Sequence, residues 1–182
     1  RKLTSLHELL LMAVVVPSLA RRQWLGWGGA ALAAITLPGC SSRGPAPEFS
    51  YTLLDGRSGR MADLRGKVLL VKFWATSCAP CVQEMPQVVA LHERYKARGF
   101  DTLAVAMRHD APASVARFAE TRALPFGVAI DNTGAIAHAW GDVQVTPTSF
   151  VVDRQGLVVR HDVGVPDFRL LQGLVERLLV AA

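Results

Sequence analysis

Val68-Leu69-Leu70-Val71-Lys72-Phe73-Trp74-Ala75-Thr76-Ser77-Cys78-Ala79-Pro80-Cys81 is the stretch on which the fold turns. Its first seven residues are almost all apolar, β-branched or aromatic, which reads as a central strand buried on both faces. Pro80 suits the first turn of a helix, where its missing N–H costs nothing. That helix is predicted to run to about Arg98, with Met85, Val88, Val89, His92 and Tyr95 at helical spacing and Gly99 as its stop. Two cysteines therefore fall where a buried strand gives way to a helix.

Working outward, residues 49–54 read as a short extended segment and Asp55-Gly56 as a turn, followed by a polar connection through Gly66. Beyond the long helix come an apolar strand over 102–107, a helix over 112–122, a strand over 126–130 and a helical stretch over 132–140. Residues 149–152 and 157–161 flank Asp153-Arg154-Gln155-Gly156 as a hairpin, and Asp167 opens a final amphipathic helix. Strands alternating with helices and ending in a hairpin imply an α/β fold, a central mixed β-sheet flanked by helices. It forms one domain over 49–182, with no internal repeat.

The position of the cysteine pair has chemical meaning. A thiol at a helix N-terminus meets unpaired N–H groups and the positive end of the helix dipole, which lower its pKa and favour the nucleophilic thiolate. Cys81 lies one turn on, placed to attack a mixed disulfide and release product. Other uses of the pair fit less well. Structural zinc needs four ligands and no second Cys or Cys/His pair is present, so no metal is expected. Covalent haem needs a His after the second Cys, where this chain has Val82. A structural disulfide would close only a small loop and stabilise little.

The chain has 182 residues and a formal charge of +5, unevenly spread. Arg1, Lys2, Arg21 and Arg22 are opposed only by Glu8 before residue 40, and from Cys40 onward the net charge is +2. No Lys/Arg run with interleaved aromatics appears in the domain, so nucleic acid is not an expected partner. Residues 1–39 read as a signal or targeting segment: Arg21 and Arg22 precede an apolar run over 25–37, too short to span a bilayer comfortably and of a length that suits a signal peptide. Arg21-Arg22-Gln23-Trp24-Leu25 also resembles a twin-arginine export motif, with Ala20 where Ser or Thr is usual. Leu37-Pro38-Gly39-Cys40 resembles a lipobox, making Cys40 the expected lipidation site and residues 40–48 a lipidated flexible tether. Ordinary cleavage or an uncleaved anchor, with Cys40 a spare thiol, are the alternatives.

Beyond these local readings, the sequence resembles the TlpA/ResA-like branch of the thioredoxin superfamily. The resemblance rests on Val71-Lys72-Phe73-Trp74-Ala75-Thr76, Cys78-Ala79-Pro80-Cys81, Glu84-Met85-Pro86, and Val145-Thr146-Pro147-Thr148-Ser149-Phe150 leading to Asp153 and Gly156. It implies a thioredoxin-like fold with an N-terminal β extension and a cis Thr146-Pro147 peptide beside the cysteines. It also implies a bacterial cell-envelope, periplasm-facing thiol-disulfide oxidoreductase with no cofactor beyond a redox-active Cys78–Cys81 disulfide. Expected partners are exported disulfide-containing proteins, with cytochrome c biogenesis one setting, and a membrane thiol electron donor. Thr146 and Pro147, with Trp74 and Ser77, become candidate substrate-binding residues.

Two departures bear on the site. Ser77 stands where many relatives have Trp, and Lys72 stands where thioredoxin has a buried acid that takes a proton from the second cysteine. A Lys in an apolar strand must reach solvent, lose its charge or find a partner. Glu84 lies three residues after Cys81, on the same helix face. It is either a group that tunes the cysteines, paired with Lys72, or a solvated acid of the first helical turn. A disulfide-donating oxidase of the same fold and a copper-holding chaperone module are the alternative functions.

Overall fold

The computed structural model describes residues 44–181. The targeting segment over 1–39 and the Cys40 lipidation site lie outside them. Elements follow in the order β1 (Ser50–Thr52), β2 (Ser58–Arg60), β3 (Val68–Trp74), α1 (Ala79–Tyr95), β4 (Phe100–Ala106), α2 (Pro112–Thr121), β5 (Gly127–Ile130), α3 (Ala135–Ala139), β6 (Thr148–Val152), β7 (Val158–Val163) and α4 (Phe168–Val180). The main sheet has the order β5-β4-β3-β6-β7. Strands β3, β4 and β5 are parallel, while β6 and β7 run antiparallel to their neighbours. This is a thioredoxin-like α/β fold with a small two-stranded N-terminal sheet.

The central strand β3 is buried at all seven positions because it has a strand on each side and helices over each face. Side chains alternate across a strand. Leu69, Val71 and Phe73 therefore enter one core with Val105, Trp140 and Phe150, and Val68, Leu70 and Trp74 enter the other with Cys81, Met85, Val88 and Leu171. Lys72 shares the second face, the one that α1 covers.

Four local readings change. The polar connection over 55–66 contains β2, antiparallel to β1, and a 3-10 turn at Met61–Leu64. Ser58-Gly59-Arg60 has no apolar alternation to announce a strand. It is held by pairing with β1, where the Tyr51 ring packs over Gly59, 2.7 Å from where a Cβ would be, and by the buried Met61 that follows. The tether expected over 40–48 is docked in part: Pro45 bridges Leu157, Ala46 N–H donates to the Gly156 carbonyl at 2.8 Å, and Val158 N–H donates to the Gly44 carbonyl at 2.9 Å. The helix expected over 132–140 shrinks to α3, because Gly134 takes a φ of +79° and starts it late. Finally, α1 tightens into a 3-10 turn at Lys96–Arg98 before Gly99, at φ +92°, ends it.

Candidate active site

Cys78 is the N-cap of α1, in extended backbone, and its Sγ accepts a hydrogen bond from Cys81 N–H at 3.3 Å. Pro80 falls within the first turn, as its chemistry favours. The two sulfurs form a disulfide across a Cα–Cα distance of 5.3 Å. Cys78 is half-buried, whereas Cys81 is fully enclosed. An incoming thiol or disulfide therefore finds Cys78 first, which is the asymmetry that an attacking and a resolving cysteine require.

The turn that delivers Cys78 is fixed from behind. Met107 N–H donates to the Trp74 carbonyl at 2.9 Å, and Cys78 N–H donates to the Ala75 carbonyl at 3.2 Å. Pro147 reaches the same end of the sheet because Thr148 pairs with Phe73 in the β6–β3 ladder. The Thr146-Pro147 peptide is cis, Gly164 N–H donates to the Pro147 carbonyl at 2.7 Å, and the Thr148 hydroxyl donates to the Val145 carbonyl at 2.7 Å. Thr146 is partly exposed, and Ser77 is exposed at the rim.

Inside the site the chain carries a buried ion pair. Lys72 Nζ meets Glu84 Oε1, and both side chains are 1% exposed. Lys72 also donates to the Ser149 hydroxyl at 3.2 Å, its register partner across β6. Burial lowers the pKa of the Lys72 ammonium, an effect that the Glu84 charge partly offsets. Burial likewise lifts Glu84, and Lys72 partly restrains it. Glu84 Oε2 has no hydrogen-bond partner among the described residues. This burial rules out the reading of Glu84 as a solvated helix-start acid.

Trp74, named from the sequence as a substrate contact, needs correction. It is fully buried and packs against Phe118 at 5.0 Å between ring centroids, so it forms a wall of the core and cannot touch a client. One residue escaped the sequence reading altogether. Asp110, in the loop between β4 and α2, accepts from Thr76 N–H and from the Thr76 hydroxyl. Its only signal was its place just past the carboxyl end of a parallel strand, where α/β sheets gather functional loops.

The Redoxin family profile matches residues 42–170. The Bacillus thuringiensis thiol-disulfide oxidoreductase ResA is 35% identical over 133 residues, spanning 73% of this chain and 76% of that protein. Among solved structures, a Neisseria meningitidis chain assigned as a thioredoxin superposes with a TM-score of 0.71 at 38% identity, covering 75% of this chain and 91% of that one. A Chlorobium tepidum thiol:disulfide interchange protein of the thioredoxin family gives 0.69 at 30% identity, covering 75% and 97%. With these matches and a Cys-x-x-Cys disulfide at the head of α1, the chain belongs to the Redoxin family and is a ResA-like thiol-disulfide oxidoreductase.

Proposed function

We propose that this protein reduces disulfides of exported proteins at a bacterial cell envelope, apocytochrome c among the fitting clients. The Cys78 thiolate attacks one sulfur of the client disulfide, forming a mixed disulfide and releasing the client's other sulfur as a thiolate. Cys81 then attacks the Cys78 sulfur, breaks the mixed disulfide and frees the second client thiol. The client gains two electrons and the enzyme is left as the Cys78–Cys81 disulfide. A membrane-embedded thiol donor returns two electrons to complete the cycle. Glu84, held by Lys72, takes the Cys81 proton as that thiol becomes a nucleophile. The client chain lies extended against the Thr146 backbone beside Pro147, with Ser77 at the rim. Lipidation at Cys40 keeps the domain at the membrane.

The observation that carries this reading is the division of the pair: a half-buried Cys78 at the helix cap and an enclosed Cys81 one turn before a buried carboxylate. Reductase and oxidase differ in how strongly the dithiol holds its electrons. Lys72 and the α1 dipole both favour thiolates and push toward an oxidant, while Glu84 opposes them. Equilibration with glutathione decides the direction: a potential near thioredoxin's, about −270 mV, supports the reductase, and one near −120 mV overturns it in favour of a disulfide donor. Trapping tests the division of labour. Cys81→Ser should accumulate mixed disulfides with clients that Cys78→Ser does not, and the reverse pattern would exchange the roles.

A further inference from the structure

Two residues before Cys78, the active-site turn is tied to the neighbouring loop of the sheet. Thr76 N–H donates to Asp110 Oδ2 at 2.5 Å, and the Thr76 hydroxyl donates to Oδ1 at 2.6 Å. Asp110 is 6% exposed. Both carboxylate oxygens are spent on a single residue, and that residue sits in the turn between β3 and the Cys78 cap. The loop itself does not need them. It is already pinned by Met107 N–H to the Trp74 carbonyl and by Asp110 N–H to the Met107 carbonyl, each at 2.9 Å. A neutral side chain of the same shape could close the turn, yet the chain places a carboxylate there, where desolvation makes charge costly.

We propose that Asp110 is a positioning residue for Cys78 that also sets the reducing strength of the pair. Its two hydrogen bonds fix the turn and hence the direction in which Cys78 leaves it. Its negative charge, two residues from Cys78 and screened from water, opposes the Cys78 thiolate. The helix N-terminus and Lys72 act in the other direction, Glu84 acts with Asp110, and Arg108 and His109 of the same loop are exposed, so their fields are screened. A thiolate held up in energy makes the dithiol give up its electrons more readily. The inference thus deepens the reductase reading, on which its physiological meaning rests.

The test uses the full chain, solubilised in detergent, with thiolate absorbance against pH and equilibration with glutathione as readouts. Asp110→Asn keeps the shape and removes the charge. It should lower the Cys78 pKa by about one unit and shift the glutathione equilibrium about tenfold toward the reduced protein, which is about 30 mV. Thr76→Ser keeps both hydrogen bonds and should behave as the parent. Thr76→Val removes one bond and keeps the charge, so it should slow disulfide exchange severalfold while leaving the Cys78 pKa at or above that of the parent. An Asp110→Asn protein that is less stable but unchanged in thiolate pKa and glutathione equilibrium overturns the proposal, because a purely structural tie predicts that pattern. Should Asp110→Asn not fold, parent-like exchange rates in Thr76→Val overturn it instead. A parent potential in the oxidant range would overturn the reductase reading alone, since the difference between parent and variant still reports on Asp110.

Discussion

Two charges in the middle of the molecule decide how the site responds to substitution. Lys72 and Glu84 each lie out of water, and each costs several kcal/mol to bury unless the other is present. Glu84→Gln leaves the Lys72 cation uncompensated and should lower stability by about 1–3 kcal/mol at neutral pH. It should also lower the cysteine pKa values, since a negative charge has gone. Adding Lys72→Met should recover part of the loss, and a double-mutant cycle by denaturant unfolding measures the coupling. The pH signs differ for the two partners. Glu84 is raised from an ordinary 4.5, so its contribution is fully present below that value and is lost as pH rises through its folded value. Lys72 is lowered from 10.5, so the folded chain binds its proton more weakly and stability is regained as pH climbs toward 10.5. Relative to the Lys72→Met, Glu84→Gln double variant, the parent should be least stable between these limits. Additive single effects and parallel pH curves would show two independent residues. Lys72 was legible in sequence because it interrupts an apolar strand, and Glu84 because helical spacing returns it to the Cys81 face. Asp110 was not, since its partner Thr76 lies 34 residues away and only the parallel β3–β4 pairing brings them together.

Among the elements, the long apolar or amphipathic ones were readable with their bounds, while the short ones were read loosely or, for β2, not at all. β3 carries its own signal at every position but Lys72, and Asp167 caps α4 as its side-chain chemistry demands, accepting from Arg169 N–H and Leu170 N–H. β2 is too short to declare itself, and α3, read as helical but too long, is cut to five residues; tertiary contacts make both. Five residues cannot hold a helix in isolation. Asp131 supplies what α3 lacks: its buried carboxylate accepts from Ile136 N–H at 3.2 Å and Ala137 N–H at 2.8 Å. Asp131→Ala should therefore cost about 1–3 kcal/mol, by leaving those donors unpaired where water does not reach. The change should be local. Trp140 closes α3 and is wedged against Phe49, Phe73 and Phe150. Near-UV circular dichroism should then fall more than the far-UV signal, and Asp131→Asn, which keeps one acceptor oxygen, should lose less. An Asp131→Ala protein with parent-like unfolding and an unchanged Trp140 signal would show that α3 is held by its apolar contacts alone.

At the scale of the whole molecule, the α/β class with a mixed sheet followed from the alternation of strands and helices, but the N-terminal approach to the sheet did not. Residues 44–46 dock through backbone hydrogen bonds to 156–158, a pairing that side-chain pattern does not encode. Among the described residues no helix is long and apolar enough to cross a bilayer. The apolar run over 25–37 is shorter than the roughly 20 apolar residues that a spanning segment needs. Lipidation of Cys40, at the end of the lipobox-like Leu37-Pro38-Gly39-Cys40, is the expected attachment to the envelope. One acyl chain binds membranes only marginally, while two give stable anchoring, so a diacylated Cys40 would be sufficient. Cells expressing the full chain should show it in the membrane fraction and labelled by fatty acid. Cys40→Ala should move the cleaved domain to the soluble periplasmic fraction without label, and its purified disulfide-exchange rate should stay within about twofold of the parent, since Cys78 and Cys81 are untouched. A Cys40→Ala protein that remains membrane-bound, beside a parent that takes up no label, would mean that the N-terminal segment is retained and itself holds the domain, with Cys40 a spare thiol.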